Sequence, residues 1–519
     1  MWAGPMANHL LTHRPVVATP TQHSHGFGRV VALVVSAAVI VSLAGSWIPS
    51  LWGDEAASVM SATRSLSSLI IMLGTVDAVH GAYYVGLHFW IDLFGASPFS
   101  VRLPSALAVG VTVAAVMLIA RRLGSTRIAI AAGIICAVIP RVTYMGAEAR
   151  SSAFAAAIVA WLTVVLLELV HRRTPGRRWW IAYAALLAVG TYLFLYVALI
   201  AVAHAVILLT VRTDKAFLTR WAGSVTAALL AATPVFVWAL LERKQIAFLG
   251  HRNEITFHRL IVSLWFGQPL FAAVAWALIG CALVAAVAAW RSTALHSPEG
   301  RFRMPRLDVV AASWLLVPAV ILIGAFPVVP VYTARYLSYC APAAAILMST
   351  GLDWAVRGRV RPMAAVLLVV MLCAAPVWIS QRGPNAKNNS DFADIGATVS
   401  SHASPGDAIV FDESVRPSRR PRLAMRLYPA DFAGLRDITL DVPYGDGTSW
   451  HDTAYDVHDA AALGRFNGVK RVWLVEFAVA AGANDADALA LEALGYVAVA
   501  EYSIHRSEIH EYVLPASTE

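Results

Sequence analysis

Two adjacent carboxylates, Asp54 and Glu55 in LWGDEAAS (51–58), stand just beyond an apolar run long enough to cross a membrane. A carboxylate at the outer mouth of a helix bundle can meet a water-borne acceptor and a lipid-borne donor alike, which suits an enzyme working at the interface. The same pair could instead cap a helix, because acidic side chains in a first turn are favoured by the helix dipole. Further residues able to do chemistry follow at outer connections. They are Asp77, His80 and Gly81 in DAVHGAYY, the stretch SPFSVRLPSAL (97–107), and Glu148 and Arg150 in MGAEARSSAF (145–154).

The elements that must position these residues are membrane helices. The chain is 58% hydrophobic and only 14% charged, and its mean hydropathy of +0.64 lies outside the soluble globular range. Apolar runs recur at roughly 30–48, 103–120, 127–141, 152–170, 179–193, 196–211, 221–241, 269–290, 309–326, 336–352 and 363–380, which predicts about eleven spans. Basic residues gather at every second connection: Arg121, Arg122 and Arg127, then Arg172, Arg173, Arg177 and Arg178, then Arg212, Lys215 and Arg220, and again around 291–306 and 357–361. Positive loops stay in the cytoplasm, so this pattern accounts for the net charge of +8 without a nucleic-acid partner. It also puts the N-terminus inside, and the segment 49–102 and everything after about 381 outside.

Three regions follow: a polar cytoplasmic tail at 1–29, a membrane domain at 30–380 and an extracytoplasmic domain at 381–519. In the first outer loop, Val59, Thr63, Leu66, Ile70 and Leu73 keep helical spacing opposite Ser58, Ser61, Ser65 and Ser68, which predicts a helix lying in the membrane surface. A second is predicted over 78–95, with His80, Tyr84, His88 and Asp92 along one stripe; His88 and Asp92 suit a solvated face. After 385 the composition turns polar. DAIVFDE (407–413), VKRVWLVEF (469–477) and YVAVAEYSI (496–504) predict strands and NDADALALEALG (484–495) a helix, hence a small α/β domain. The four cysteines lie far apart within or at the edges of spans, with neither disulfide nor metal-ligand spacing.

An acidic pair just after the first span, RLPSAL entering the next, EAR in the second outer loop and ARY followed by a proline late in the chain together resemble the C-type glycosyltransferases. The nearest branch is the family 39-like group of bacterial relatives of protein O-mannosyltransferases and of the lipid A aminoarabinose transferase. The resemblance implies a polytopic helical fold in which Asp54 is the base that deprotonates the acceptor. Glu55 supports it, and Glu148 faces the same cavity. Arg335 in VYTARYLSYCAP then lies by the donor phosphate with Tyr336 beside it, and Asp77, His80 and Arg150 contribute to substrate binding.

The chemistry gives its own reason for these residue types. Sugar transfer from a polyprenyl phosphate needs a base on one face of the anomeric carbon and positive charge on the departing phosphate, with inversion of configuration. An arginine suits the phosphate because its planar fork stays charged, although Arg335 at a membrane boundary could also merely snorkel. The implied partners are a polyprenyl-phosphate sugar, a glycan, lipid or protein acceptor, and membrane lipids. No cofactor is predicted; a divalent cation is possible, but no ligand motif is visible. Mannose is favoured only because mannose-bearing polyprenyl phosphates are common donors in high-GC bacteria, and arabinose or another sugar remains open. A lipid or glycan transporter is the rival class. It is disfavoured because the spans carry almost no charge away from their ends.

Overall fold

The computed structural model describes residues 22–172, 174–245, 255–294, 304–328, 332–478 and 486–515. Most of the predicted tail, residues 246–254 and the first residues of the predicted helix 484–495 lie outside these. Among the described residues, six helices are long and apolar enough to cross a membrane: α1 (Gln22–Leu43), α5 (Pro98–Leu123), α8 (Ser152–His171), α13 (Pro269–Ala294), α14 (Leu307–Ala325) and α16 (Val360–Ser380). Two bent pairs bring the number to eight: α6 (Thr126–Val138) with α7 (Pro140–Gly146), bent by 61°, and α11 (Lys215–Ala231) with α12 (Thr233–Leu241), bent by 49°. Each bend falls at a proline in the first turn of the following helix, where the missing N–H costs no internal hydrogen bond.

The other three predicted spans fall on the shorter helices α9 (Arg177–Leu193), α10 (Ile200–Leu209) and α15 (Ala341–Ala355). Packing explains α15, which is buried from Ala341 to Ser349. It meets α13 so closely that a β-carbon on Gly351 would lie 1.8 Å from the Leu278 carbonyl oxygen. Helix starts follow local chemistry: Ser97, Ser125 and Asp214 accept the N–H of Ser100, Ile128 and Phe217 respectively.

The loop between the first two spans departs from the expected pair of surface helices. It breaks into α2 (Gly53–Ala62), α3 (Leu66–Leu73) and α4 (Gly81–Phe94), with Ser65 capping α3 and Asp77 turning the chain in the left-handed region at φ 58°. Only α3 and α4 present apolar side chains outward, notably Ile70, Ile71, Leu93 and Phe94. α2 is buried almost throughout, because the C-terminal domain closes over it. Leu51, Ala56, Val59 and Met60 share one apolar core with Phe392, Phe411, Leu423 and Trp473.

That domain contains a five-stranded sheet in the order β2–β1–β3–β5–β4. β1 (Ala408–Phe411) is parallel to β2 (Arg436–Asp437) and β3 (Arg471–Phe477), whereas β5 (Ser507–Val513) is antiparallel to β3 and β4 (Val497–Ser503). Three of these strands match the predicted ones; β2 and β5 are additional. The domain is tied down at its root, where Arg506 binds the Asp391 carboxylate at 3.0 Å and Arg382 donates to the carbonyls of Val41, Ser42 and Ala44 at the end of α1.

Candidate active site

Asp54 sits in the first turn of α2, but it does not cap the helix. The capping position is Trp52, which makes no side-chain cap bond. The Asp54 carboxylate instead pairs with Arg335, whose Nη1 donates to Oδ2. Arg335 enters from the short 3-10 turn Ala334–Cys340 that leads into α15. Arg150, from the 147–151 connection, donates through Nη1 to the Asp54 carbonyl at 3.1 Å and to Ser58 Oγ at 3.3 Å, while its Nη2 meets His80 Nε2 at 3.2 Å. Burial by itself would raise the Asp54 carboxyl, but the charges of Arg335 and Arg150 and the Arg335 hydrogen bond outweigh it and hold the group below the usual carboxylate range. Burial and the neighbouring Arg150 press His80 well below an ordinary imidazole, so it is neutral and accepts the Arg150 hydrogen bond.

Two cavities flank the Asp54–Arg335 pair. The first, of about 370 Å³, also takes in Asp77, His80, Arg150 and Tyr336, with Val76, Val79, Leu195 and Ala239 as an apolar flank. Tyr336 stacks on Tyr196 with ring centres 4.8 Å apart. Asp77 accepts the Tyr84 hydroxyl at 3.0 Å, and its carboxyl is raised by burial against the pull of Arg150. Glu242, just past α12, accepts the Ala78 N–H at 3.1 Å. Burial lifts it to about 7, with Ala78 opposing and the Asp77 charge adding to the rise. The second cavity, of about 580 Å³, is roofed by the C-terminal domain through Arg416, Ser418, Arg419 and Trp450.

Two expected site residues lie elsewhere. Glu55 lines neither cavity. It is fully buried and clamped by Arg102 of the RLPSAL stretch, with Nε to Oε1 at 2.8 Å and Nη2 to Oε2 at 2.5 Å, and it also accepts the Ala149 N–H at 2.8 Å. Arg102 spends its remaining donors on the carbonyls of Ser46, Pro49 and Ser50, so the pair is a joint between the end of α1, α2 and α5. Glu148 is likewise buried away from both cavities. Burial raises its carboxyl, with the Lys387 ammonium as the main opposing charge. The structure therefore brings Asp54, Asp77, His80, Arg150, Arg335 and Tyr336 together and leaves Glu55 and Glu148 behind them.

Sequence reasoning missed Glu242, Gln245, Tyr196, Ser418 and Trp450 at the cavities. It also left the arginine of RLPSAL without a role, although a buried carboxylate in need of a partner was the available signal. Of metal-ligating types, among the described residues Asp456, His458 and Asp459 gather three ligand atoms within 4.8 Å, all exposed, and none of the three lines either cavity.

The whole-chain architecture matches the crystal structure of apo ArnT from Cupriavidus metallidurans at TM-score 0.60 and 15% identity, over 94% of this chain and 98% of that one. This chain has the C-type glycosyltransferase fold. The same protein bound to undecaprenyl phosphate matches at TM-score 0.55, 15% identity and the same coverage. Residues 81–238 of this C-type glycosyltransferase fold match the sequence model of the family described as dolichyl-phosphate-mannose-protein mannosyltransferase. No curated protein matches the chain in sequence. The matched segment begins at α4 and ends within α12, so Arg150 falls inside it while Asp54 and Arg335 fall outside.

Proposed function

We propose that this membrane protein transfers a sugar, mannose in our assignment, from a polyprenyl-phosphate donor to an acceptor hydroxyl on the outer side of the cytoplasmic membrane. The observation that carries the proposal is the Asp54–Arg335 pair set between two cavities, one flanked by apolar helix residues and one roofed by the water-side domain. The donor enters the first cavity, where the apolar flank suits a prenyl chain and Arg335 and Arg150 suit its phosphate. Phosphate oxygens replace the carboxylate as the partner of Arg335, which leaves Asp54 free to accept a proton.

The acceptor oxygen then bonds to the anomeric carbon as its proton passes to Asp54. The bond from that carbon to the phosphate oxygen breaks, and the electron pair leaves on the polyprenyl phosphate, balanced by Arg335. Attack opposite the leaving group inverts the anomeric centre. Asp77, His80 and Tyr336 line the sugar's side of the cavity. ArnT, which shares the fold, has been crystallised with undecaprenyl phosphate, and this supports a lipid-linked donor here.

The donor is tested by incubating membranes that contain the protein with radiolabelled polyprenyl-phosphate mannose, arabinose and glucose, then following label into product. Label transferred from mannose above the others supports the assignment, and transfer from none of the three counts against it. Sidedness is tested in a cysteine-free background. Cysteines at the exposed positions Ser67 and Ser400 should react with an impermeant thiol reagent from outside, and one at Ser125 should not.

A further inference from the structure

A third cavity lies at the far end of two helices that lead to the first. α9 and α11 run side by side in the same direction: near their starts Trp180 meets Phe217 with ring centres 5.1 Å apart, and near their ends the Tyr192 hydroxyl donates to the Ala231 carbonyl at 2.9 Å. Beyond those ends the chain reaches Phe194 and Tyr196 after α9, and Ala239 and Glu242 after α11, all of which line the first cavity. The starts of the two helices therefore lie at the opposite end of the pair from Asp54. There the helices enclose a groove of about 540 Å³.

The lining of this groove is ordered along both helices. Arg177 in the first turn of α9 and Arg220 in the second turn of α11 supply its charge, both exposed, and no carboxylate among the described residues lines it. A turn or two further along come Ile181 and Ala184 on α9 and Gly223 and Ala227 on α11. Gly223 leaves room, since a β-carbon there would meet nothing within 4 Å. On each helix a guanidinium comes first and apolar or small residues follow, which is the order of a phospholipid from headgroup to acyl chain. Arginines that only fix topology need no shared groove.

Two further features favour an anion. Trp180, in the same wall, is 8% exposed, and its indole N–H has no hydrogen-bond partner among the described residues, which leaves a third donor beside the two guanidiniums. α9 opens at Gly176 with no side-chain cap, so the positive end of its dipole is not neutralised from within.

We infer that this groove binds an anionic phospholipid of the leaflet on that side of the membrane, its headgroup phosphate held by Arg177 and Arg220 and an acyl chain lying along Gly223 and Ala227. Guanidiniums give phosphate charge-assisted hydrogen bonds, and basic pockets between membrane helices suit such headgroups. A zwitterionic lipid carries an ammonium beside the same phosphate, which opposes both arginines. The site is separate from the transfer chemistry and stands or falls without it.

The test is native mass spectrometry of the full-length protein in a nonionic detergent, titrated with dioleoyl phosphatidylglycerol or dioleoyl phosphatidylcholine. The first phosphatidylglycerol should bind at least about fivefold more tightly than the first phosphatidylcholine. Arg177→Gln/Arg220→Gln should abolish that preference, and so should Gly223→Leu, which fills the groove without changing its charge. Arg357→Gln/Arg359→Gln, which removes two exposed arginines outside the groove, should keep it. Arg335→Ala should also keep it, because that arginine belongs to the first cavity. Inorganic phosphate in excess should not displace the lipid. No preference in wild type, or a preference that survives either groove variant, would overturn the inference. Loss in the Arg357/Arg359 variant would overturn it in favour of general basic attraction, loss in Arg335→Ala in favour of the first cavity, and displacement by phosphate in favour of a free anion.

Discussion

Arg335 donates through Nη1 to Asp54 Oδ2, so the residue assigned to the phosphate and the residue assigned to the proton hold each other before either ligand arrives. A base tied to an arginine is a weak one. In the proposed reaction this pairing couples the two halves, since the phosphate that draws Arg335 away would also restore the basicity of Asp54.

This coupling predicts how Arg335 variants behave. Arg335→Ala should weaken polyprenyl-phosphate binding by roughly ten- to a hundredfold, the worth of a charge-assisted hydrogen bond of about 1.5–3 kcal/mol. Arg335→Lys should recover only part of it, because the ammonium lacks the planar fork. Acceptor binding should change much less. Equal donor affinity in wild type and Arg335→Ala would remove Arg335 from the phosphate.

Glu55 should behave as a structural residue despite its position beside Asp54. Breaking a buried ion pair by removing one partner costs about 3–5 kcal/mol, and the Glu55–Arg102 pair is fully buried with both oxygens engaged. Glu55→Gln and Arg102→Gln should each lower the thermal unfolding midpoint in detergent markedly. Whatever protein remains folded should keep its donor affinity. An unchanged midpoint with lost turnover would return Glu55 to the chemistry.

The pH dependence of donor binding should centre on Glu242. Its carboxyl, lifted to about 7 by burial, is neutral below that pH and charged above it. The added negative charge beside Asp77 repels a donor phosphodiester, so donor affinity should fall as pH rises through about 7. Glu242→Gln should flatten the profile at the tighter, low-pH limit. Burial and Arg150 press His80 well below an ordinary imidazole, so the step near 7 should not come from it. Isothermal titration of donor between pH 5.5 and 8.5 checks both statements.

The close approach at Gly53 should be intolerant of a side chain. Gly53→Ala has to push back the Ser418 backbone, a rigid neighbour rather than a flexible side-chain end. Transfer should fall with little change in membrane insertion, and the accessibility of a cysteine at Ser418 to thiol reagents should rise. Gly53→Ala with normal turnover and normal Ser418 accessibility would show that the roof does not need this contact.

The membrane class, the order of helices and the acidic, EAR and ARY stretches were legible in the sequence because each is local: an apolar run, a proline, a short motif. Tertiary partnership was not. Nothing in DEA says that Asp54 turns to Arg335 while Glu55 turns the other way to Arg102, since the two side chains diverge on adjacent helix positions. The helical spacing from Val59 to Leu73 was real, but Ser65 caps a new helix, and Val59, on the face expected to meet the bilayer, is buried in a core shared with Phe392 and Trp473. Strand β5 escaped notice because only Ser507, Ile509 and Tyr512 of SEIHEYV are buried, the last two on opposite faces, so no simple alternation marks it. Ser418 and Trp450 reach the site from more than 360 positions beyond Asp54, a distance no spacing argument spans.

The most direct measurement of the central claim is single-turnover sugar transfer by Asp54→Asn, alongside its donor affinity and unfolding midpoint. The variant keeps the size of the side chain and removes its basicity. It should fold, reach the membrane and bind polyprenyl-phosphate sugar, yet transfer about 10²–10⁴-fold more slowly than wild type. Turnover within a few-fold of wild type in correctly folded Asp54→Asn would contradict Asp54 as the base.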